Sequence, residues 1–123
     1  MPRARRSERQ CEFRMVQGVL VRTVTRPGGR SYRHTCTLES FADVARFIEE
    51  HAGTGVTTNE FWDRLDDVPC TQATVALEFL KDRATVEVER RRCFPASSCF
   101  FEDALCEWHA LAFQCEMDPP VAT

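Results

Sequence analysis

Hydrophobic and polar positions change period several times along the chain, and each change marks an element. Val19, Val21 and Thr23 alternate with Leu20, Arg22 and Val24 as in a strand. Arg26-Pro27-Gly28-Gly29 then supplies turn chemistry, with proline setting φ and glycine allowing positive values. The return stretch from Ser31 to Thr37 puts Tyr32, His34 and Cys36 on one face, so residues 13–37 predict a β-hairpin. Leu38 to Ala52 predicts a helix that Thr37 or Ser40 caps and Gly53 stops. Its apolar stripe is Leu38, Phe41, Val44, Ala45 and Ile48, with Glu39, Asp43, Arg46, Glu49 and Glu50 in water.

The central stretch, Thr57 to Arg92, carries the densest pattern. Thr57 and Glu60 stand three apart, as a capping box requires. Phe61, Trp62 and Leu65 give the apolar side of a helix of barely two turns. Pro69 fits the first turn of a second helix, where its missing N–H costs little. There Ala73, Ala76, Leu77 and Leu80 recur at i, i+3, i+4 and i+7, with Val75 and Phe79 on an adjoining stripe. Thr71, Gln72, Thr74, Glu78 and Lys81 are left outward. From Thr85 the period becomes two, with Val86 and Val88 on one side and Glu87, Glu89 and Arg91 on the other. Pro95 and two serines must end that strand, so Cys93–Ser98 reads as a tip and Cys99–Phe101 as a short returning strand. Residues 102–114 predict a last helix with Leu105, Trp108, Leu111 and Ala112 on one face. That helix either closes the core, the preferred reading, or forms a homodimer with a second copy.

The run Val75–Val88, VALEFLKDRATVEV, resembles the end of the second helix and the first wing strand of bacterial winged helix-turn-helix proteins. The likeness covers roughly residues 38 to 101 and departs at Ala84, where the family usually has a glycine in the left-handed region. The resemblance implies a winged helix-turn-helix, a three-helix core plus a wing; with the N-terminal β-hairpin and C-terminal helix read from the pattern, the expectation is an α+β fold in one domain over residues 13–117. It also implies double-stranded DNA as the partner, with Thr71, Gln72 and Thr74 facing base edges. Lys81, Arg90, Arg91 and Arg92 would contact phosphates. Glu78, Asp82, Glu87 and Glu89 would meet the same polyanion and oppose it. The expected function is therefore a small winged-helix DNA-binding protein, a transcriptional regulator. The alternative is a winged-helix protein–protein interaction module without DNA binding.

Charge sharpens that choice. The net charge is −3, yet residues 1–37 carry nine arginines against Glu8 and Glu12, a balance of +7, and residues 38–123 carry −10. Residues 1–12 read as a basic disordered tail, or as an arm that tracks phosphates. The acidic body is the main argument for a protein partner. No apolar run approaches the roughly 20 residues of a membrane span, and the start lacks a signal-peptide pattern. Seven cysteines, none spaced C-x-x-C, fit reduced thiols in a cytoplasmic protein. Asp118–Thr123, DPPVAT, resembles the translated linker of fluorescent-protein fusion vectors, and the opening PRAR its upstream part. It reads as a cloning remnant, with the native end near Glu116 or Met117.

Other chemistry is thinly represented. Cys93, Cys99, Cys106 and His109 are the best four metal candidates, but the Cys93–Cys99 gap exceeds the usual zinc-knuckle spacing. The expectation is no metal and no cofactor. Cys106 with His109 lacks an orienting partner or oxyanion donor, and no phosphate-binding glycine loop or nucleophile elbow is present. The chain is not expected to be an enzyme.

Overall fold

The computed structural model describes residues 10–117. The tail before residue 10 and the linker-like Asp118–Thr123 lie outside the described residues. The chain runs β1 (Gln10–Val16), β2 (Val19–Thr25), β3 (Ser31–Cys36), α1 (Leu38–Glu50), α2 (Thr58–Arg64), α3 (Cys70–Asp82), β4 (Val86–Glu89), β5 (Arg92–Pro95) and α4 (Phe100–Met117). This is a mixed α+β fold of four helices and two antiparallel sheets among the described residues, β1-β2-β3 and β4-β5.

The N-terminal sheet is a three-stranded meander rather than the two-stranded hairpin expected over residues 13–37. Its first strand takes in Gln10, Cys11 and Glu12, which the sequence leaves in the polar tail. Phe13 and Met15 pack on the core and alternate with the polar Glu12 and Arg14, a two-residue period that the arginine-rich surroundings obscure. Gln17 and Gly18, at φ 51° and 79°, make the two-residue turn into β2. Register aligns Met15, Leu20 and Cys36 in one row across the strands, and all three join the core. The outer edge of β1 meets α4, where the Cys115 sulfur accepts from the Met15 N–H at 3.3 Å.

Each helix starts for a local reason. Thr37 caps α1, its hydroxyl accepting from the Ser40 N–H at 3.2 Å. The capping box of α2 forms as expected: Thr57 Oγ1 accepts from the Glu60 N–H and Glu60 Oε1 from the Thr57 N–H. Pro69 sits at the N-cap of α3 rather than within its first turn. Ala73, Val75, Ala76, Leu77, Phe79 and Leu80 of α3 are buried, more than one face, because the meander packs on one side and α1 on another. The last helix is longer than expected and does close the core, burying Phe100, Ala104, Trp108 and Leu111. Leu38 is exposed and Phe47 buried, a rotation of the expected α1 stripe by part of a turn.

The β4–β5 hairpin departs most from expectation. Its tip is Arg90–Arg91, both at positive φ (54° and 68°), and Glu89 pairs directly with Arg92. Cys93–Ser98 is therefore not the tip, and Cys99–Phe101 is not a strand but the entry to α4. A two-residue turn lets β5 start at once, so the chain reaches Pro95 already paired. Val56 adds a bridge to Cys93, exchanging N–H···O bonds of 3.0 and 2.8 Å.

The exit from α3 is a Schellman turn built on alanine. Ala84 takes φ 58°, its N–H reaches the Lys81 carbonyl, and the Thr85 N–H reaches that of Leu80. Alanine there costs more than glycine because Cβ crowds the following carbonyl. Ala84→Gly is expected to raise stability by about 0.5–1 kcal/mol, after allowing for the glycine's extra unfolded-state freedom. The urea midpoint should rise at constant m value; a lower midpoint would refute the left-handed exit.

Candidate nucleic-acid interface

The candidate interface begins on the outer side of α3. Burial of its other faces leaves a narrow stripe of Thr71, Thr74, Glu78 and Lys81. Thr74 returns its hydroxyl to the Cys70 carbonyl at 3.0 Å, and Lys81 lies 3.4 Å from Glu78. Gln72 does not belong to this stripe. Its Oε1 accepts from the Thr37 N–H at 3.0 Å and from the Thr37 hydroxyl at 3.3 Å, tying α3 to the start of α1. That contact spans 35 positions of sequence, so the helical pattern gave no sign of it.

The three hairpin arginines also divide. Arg90 and Arg91 are exposed at the tip, whereas Arg92 turns back. Its guanidinium donates to the Gly55 carbonyl at 3.3 Å and stands 3.6 Å from Glu60. Arg92 is the first residue of β5, whereas Arg91 lies in the left-handed turn, and this parts the two side chains. Gly55 itself is required: at φ 77° it lies flat on Phe94, and a Cβ would fall 2.6 Å from the ring.

Between these elements runs a cleft of about 510 Å³, lined by Thr57, Thr58 and Asn59 at the start of α2, by Lys81, and by Val88, Arg91 and Cys93 of the hairpin. Thr58 also borders a smaller hollow floored by Phe61, Ala73 and Leu77 and rimmed by Trp62, Thr74 and Glu78. The two form one surface from Thr74 to Arg91. Trp62, expected on the apolar side of α2, is 47% exposed, and Val88 is 53% exposed. A seven-residue helix has one buried face, and Phe61 fills it. Val86 sits at the base of the hairpin under the core, while Val88 lies two residues farther out. Thr58, Asn59, Trp62 and Val88 were thus missed; the shortness of α2 was the available clue for Trp62.

Electrostatically the surface is mixed. Lys81, Arg90 and Arg91 supply positive charge, against Glu78, Asp82, Glu87 and Glu89. Glu60 anchors the inner side. The Thr57 N–H donated to its carboxylate, then Arg92 and Arg64, hold its carboxyl below the ordinary 4.5, against the opposing effect of desolvation. Arg64 donates to His51 Nε2 at 3.1 Å; since arginine only donates, Nδ1–H is the donor to the Phe47 carbonyl at 2.9 Å.

The four metal candidates are not brought together. Cys93 is buried in β5, whereas Cys106 and His109 are exposed on α4. Among the described residues no group of three or more His, Cys, Asp or Glu is placed to hold an ion. Burial pushes the Cys36 thiol up to about 12 and also raises Cys93, which keeps both protonated and poorly nucleophilic. Among the described residues no helix is long and apolar enough to cross a membrane.

No protein-family model, curated protein or solved structure matches the chain.

Glu60 gives a pH prediction. A carboxyl depressed in the fold stabilises it above the unfolded pKa, and that contribution is lost as pH falls through the folded value. Glu60→Gln keeps the shape but loses the charge. Its urea midpoint should lie below that of the parent protein near neutral pH, with the gap closing as pH falls below 4.5. A gap that persists in acid would assign the loss to cap geometry instead.

Proposed function

We propose that this chain is a winged helix-turn-helix module that binds double-stranded DNA, with a role in transcriptional control. Helix α1, the Val56 bridge, helices α2 and α3 and the β4–β5 hairpin follow one another in the order such a module requires. The hairpin is the wing and α3 the recognition helix. The observation that carries the reading is the clustering of Lys81 and Arg91 on one cleft with Thr58, continuous with Thr74 on the outer stripe of α3. Arg90 extends the cationic end beyond it. Thr71 and Thr74 offer hydroxyl and methyl groups to base edges, and Lys81, Arg90 and Arg91 serve phosphates, Lys81 exchanging its Glu78 partner for one. Gln72 and Arg92 act as internal braces in this proposal, not as DNA contacts.

A second reading has its own support. Trp62 and Val88 expose apolar surface on the same face, and Glu78, Glu87 and Glu89 surround it. Aromatic side chains exposed beside a groove are a usual anchor for protein partners. The two readings separate by salt and by mutation.

Fluorescence anisotropy of the full chain with random duplex DNA should show binding that weakens steeply with salt. Arg90→Ala with Arg91→Ala should lower the affinity and reduce the log–log salt slope by about two, roughly one for each phosphate contact. Absence of salt-sensitive binding would exclude the DNA reading and leave the protein partner, and an affinity that survives loss of both tip arginines would exclude the hairpin as the phosphate-contacting wing.

A further inference from the structure

The outer face of α4 is unaccounted for by the fold and by the DNA reading. Its inner residues, Phe100, Ala104, Trp108 and Leu111, pack into the core. Diametrically opposite, Cys106, Ala110, Phe113 and Met117 recur at i, i+4, i+7 and i+11, and all four are exposed. Phe113 and Met117, at 64% and 69%, are the most exposed of the large hydrophobic residues described. The stripe carries no charge over about three turns of helix. Water against such a strip is unfavourable, and on a folded domain it marks a contact surface.

The order of side chains along the stripe selects the partner. The N-terminal half offers small residues, Cys106 and Ala110, and the C-terminal half large ones, Phe113 and Met117. Antiparallel pairing with an identical helix sets each large residue against a small one: Phe113 over Ala110 and Met117 over Cys106, on both sides of a two-fold axis. Parallel pairing would set Phe113 against Phe113 and leave Ala110 facing Ala110. The stripe is thus complementary to itself under the operation that relates most homodimers.

The flanks agree. His109 and Glu116 share one edge of the stripe, seven residues apart and too far along the helix to pair within one chain. In the antiparallel register His109 lies beside Glu116 of the second copy, twice by symmetry. The other edge carries Gln114 next to Glu107, so no like charges are forced together at the centre.

We infer that the chain forms an antiparallel, two-fold homodimer through the outer face of α4. The contact is a single helix pair and smaller than the roughly 1,200–2,000 Å² of tight complexes, so the association is weak. It does not depend on the DNA reading.

Sedimentation equilibrium of the full chain from about 1 to 500 µM should show a monomer–dimer equilibrium with Kd on the order of tens of micromolar. Phe113→Glu should remain monomeric throughout, with circular dichroism and urea midpoint unchanged. Ala110→Phe is the sharper test. It adds apolar surface, yet it should weaken the dimer about tenfold or more by setting large against large. Combining Ala110→Phe with Phe113→Ala reverses the order of sizes and should restore association. A parent chain that stays monomeric across the range overturns the inference and assigns the stripe to residues 118–123 or to another protein. An Ala110→Phe variant that associates more tightly overturns it as well.

Discussion

Four aromatic rings from four elements hold this fold together. Phe13 of β1 meets Phe79 of α3 edge-on at 5.3 Å, Phe79 meets Phe41 of α1 at 5.9 Å, and Phe41 meets Trp108 of α4 at 4.9 Å. Phe41 and Phe79 have no exposed surface. Truncating a ring of this kind costs about 3–5 kcal/mol, against a total stability of about 5–15 kcal/mol for a natural domain. The meander, α1, α3 and α4 therefore stand or fall with one packed row. Its consequence reaches the surface, since gripping α3 from several sides leaves only the stripe from Thr71 to Lys81 open.

The cleft side is held differently. Helix α2 buries one large residue fully, Phe61, which meets Phe47 at 5.5 Å, and otherwise depends on its capping box. The hairpin is tied by the Val56–Cys93 bridge, by Phe94 lying on Gly55, and by Arg92 between Glu60 and the Gly55 carbonyl. Glu60 serves both, closing the α2 cap with one carboxylate and receiving Arg92. Polar contacts at half-exposed positions are worth less than ring packing and are screened by salt. One half of the molecule is thus fixed by shape, and the cleft-bearing half is held by charge and hydrogen bonds, which is where pH and ionic strength act.

That division also explains what the sequence made legible. The Thr57–Glu60 box, the α3 stripe and the change of period after Asp82 are local relations, complete within a few residues, and they could be read directly. Gln72 bracing Thr37, Arg92 bracing Gly55 and Cys115 covering the edge of β1 join positions far apart in sequence, and no periodicity announces them. Trp62 misled because its neighbour Phe61 took the single buried position of a short helix. At the hairpin the error was one of sterics: non-glycine residues in the left-handed region are uncommon, so Arg90–Arg91 did not suggest a turn, and Pro95 with its serines did. Of the seven residues expected to touch DNA, five remain outward, and the two that turned inward did so through contacts invisible in the pattern.

The tip arginines bear on how much such a surface can do alone. Asparagine and glycine would hold a turn with two positive φ values at lower energy; arginine there carries backbone strain of about 1–2 kcal/mol per residue. Strain retained at an exposed tip directs attention to what the side chains reach. Yet with Arg92 turned inward and Lys81 paired with Glu78, one copy presents on this face only the cations Lys81, Arg90 and Arg91 among the described residues, with Glu87 and Glu89 close by. In the proposed DNA reading, three phosphate contacts would give weak, salt-sensitive binding. Two copies joined through α4 would double the contacts, and the second engagement would occur at the high effective concentration set by the first. Under the two proposals together, a weak surface and a weak dimer would reinforce each other, with the two-fold axis setting the spacing at which both hairpins meet one duplex.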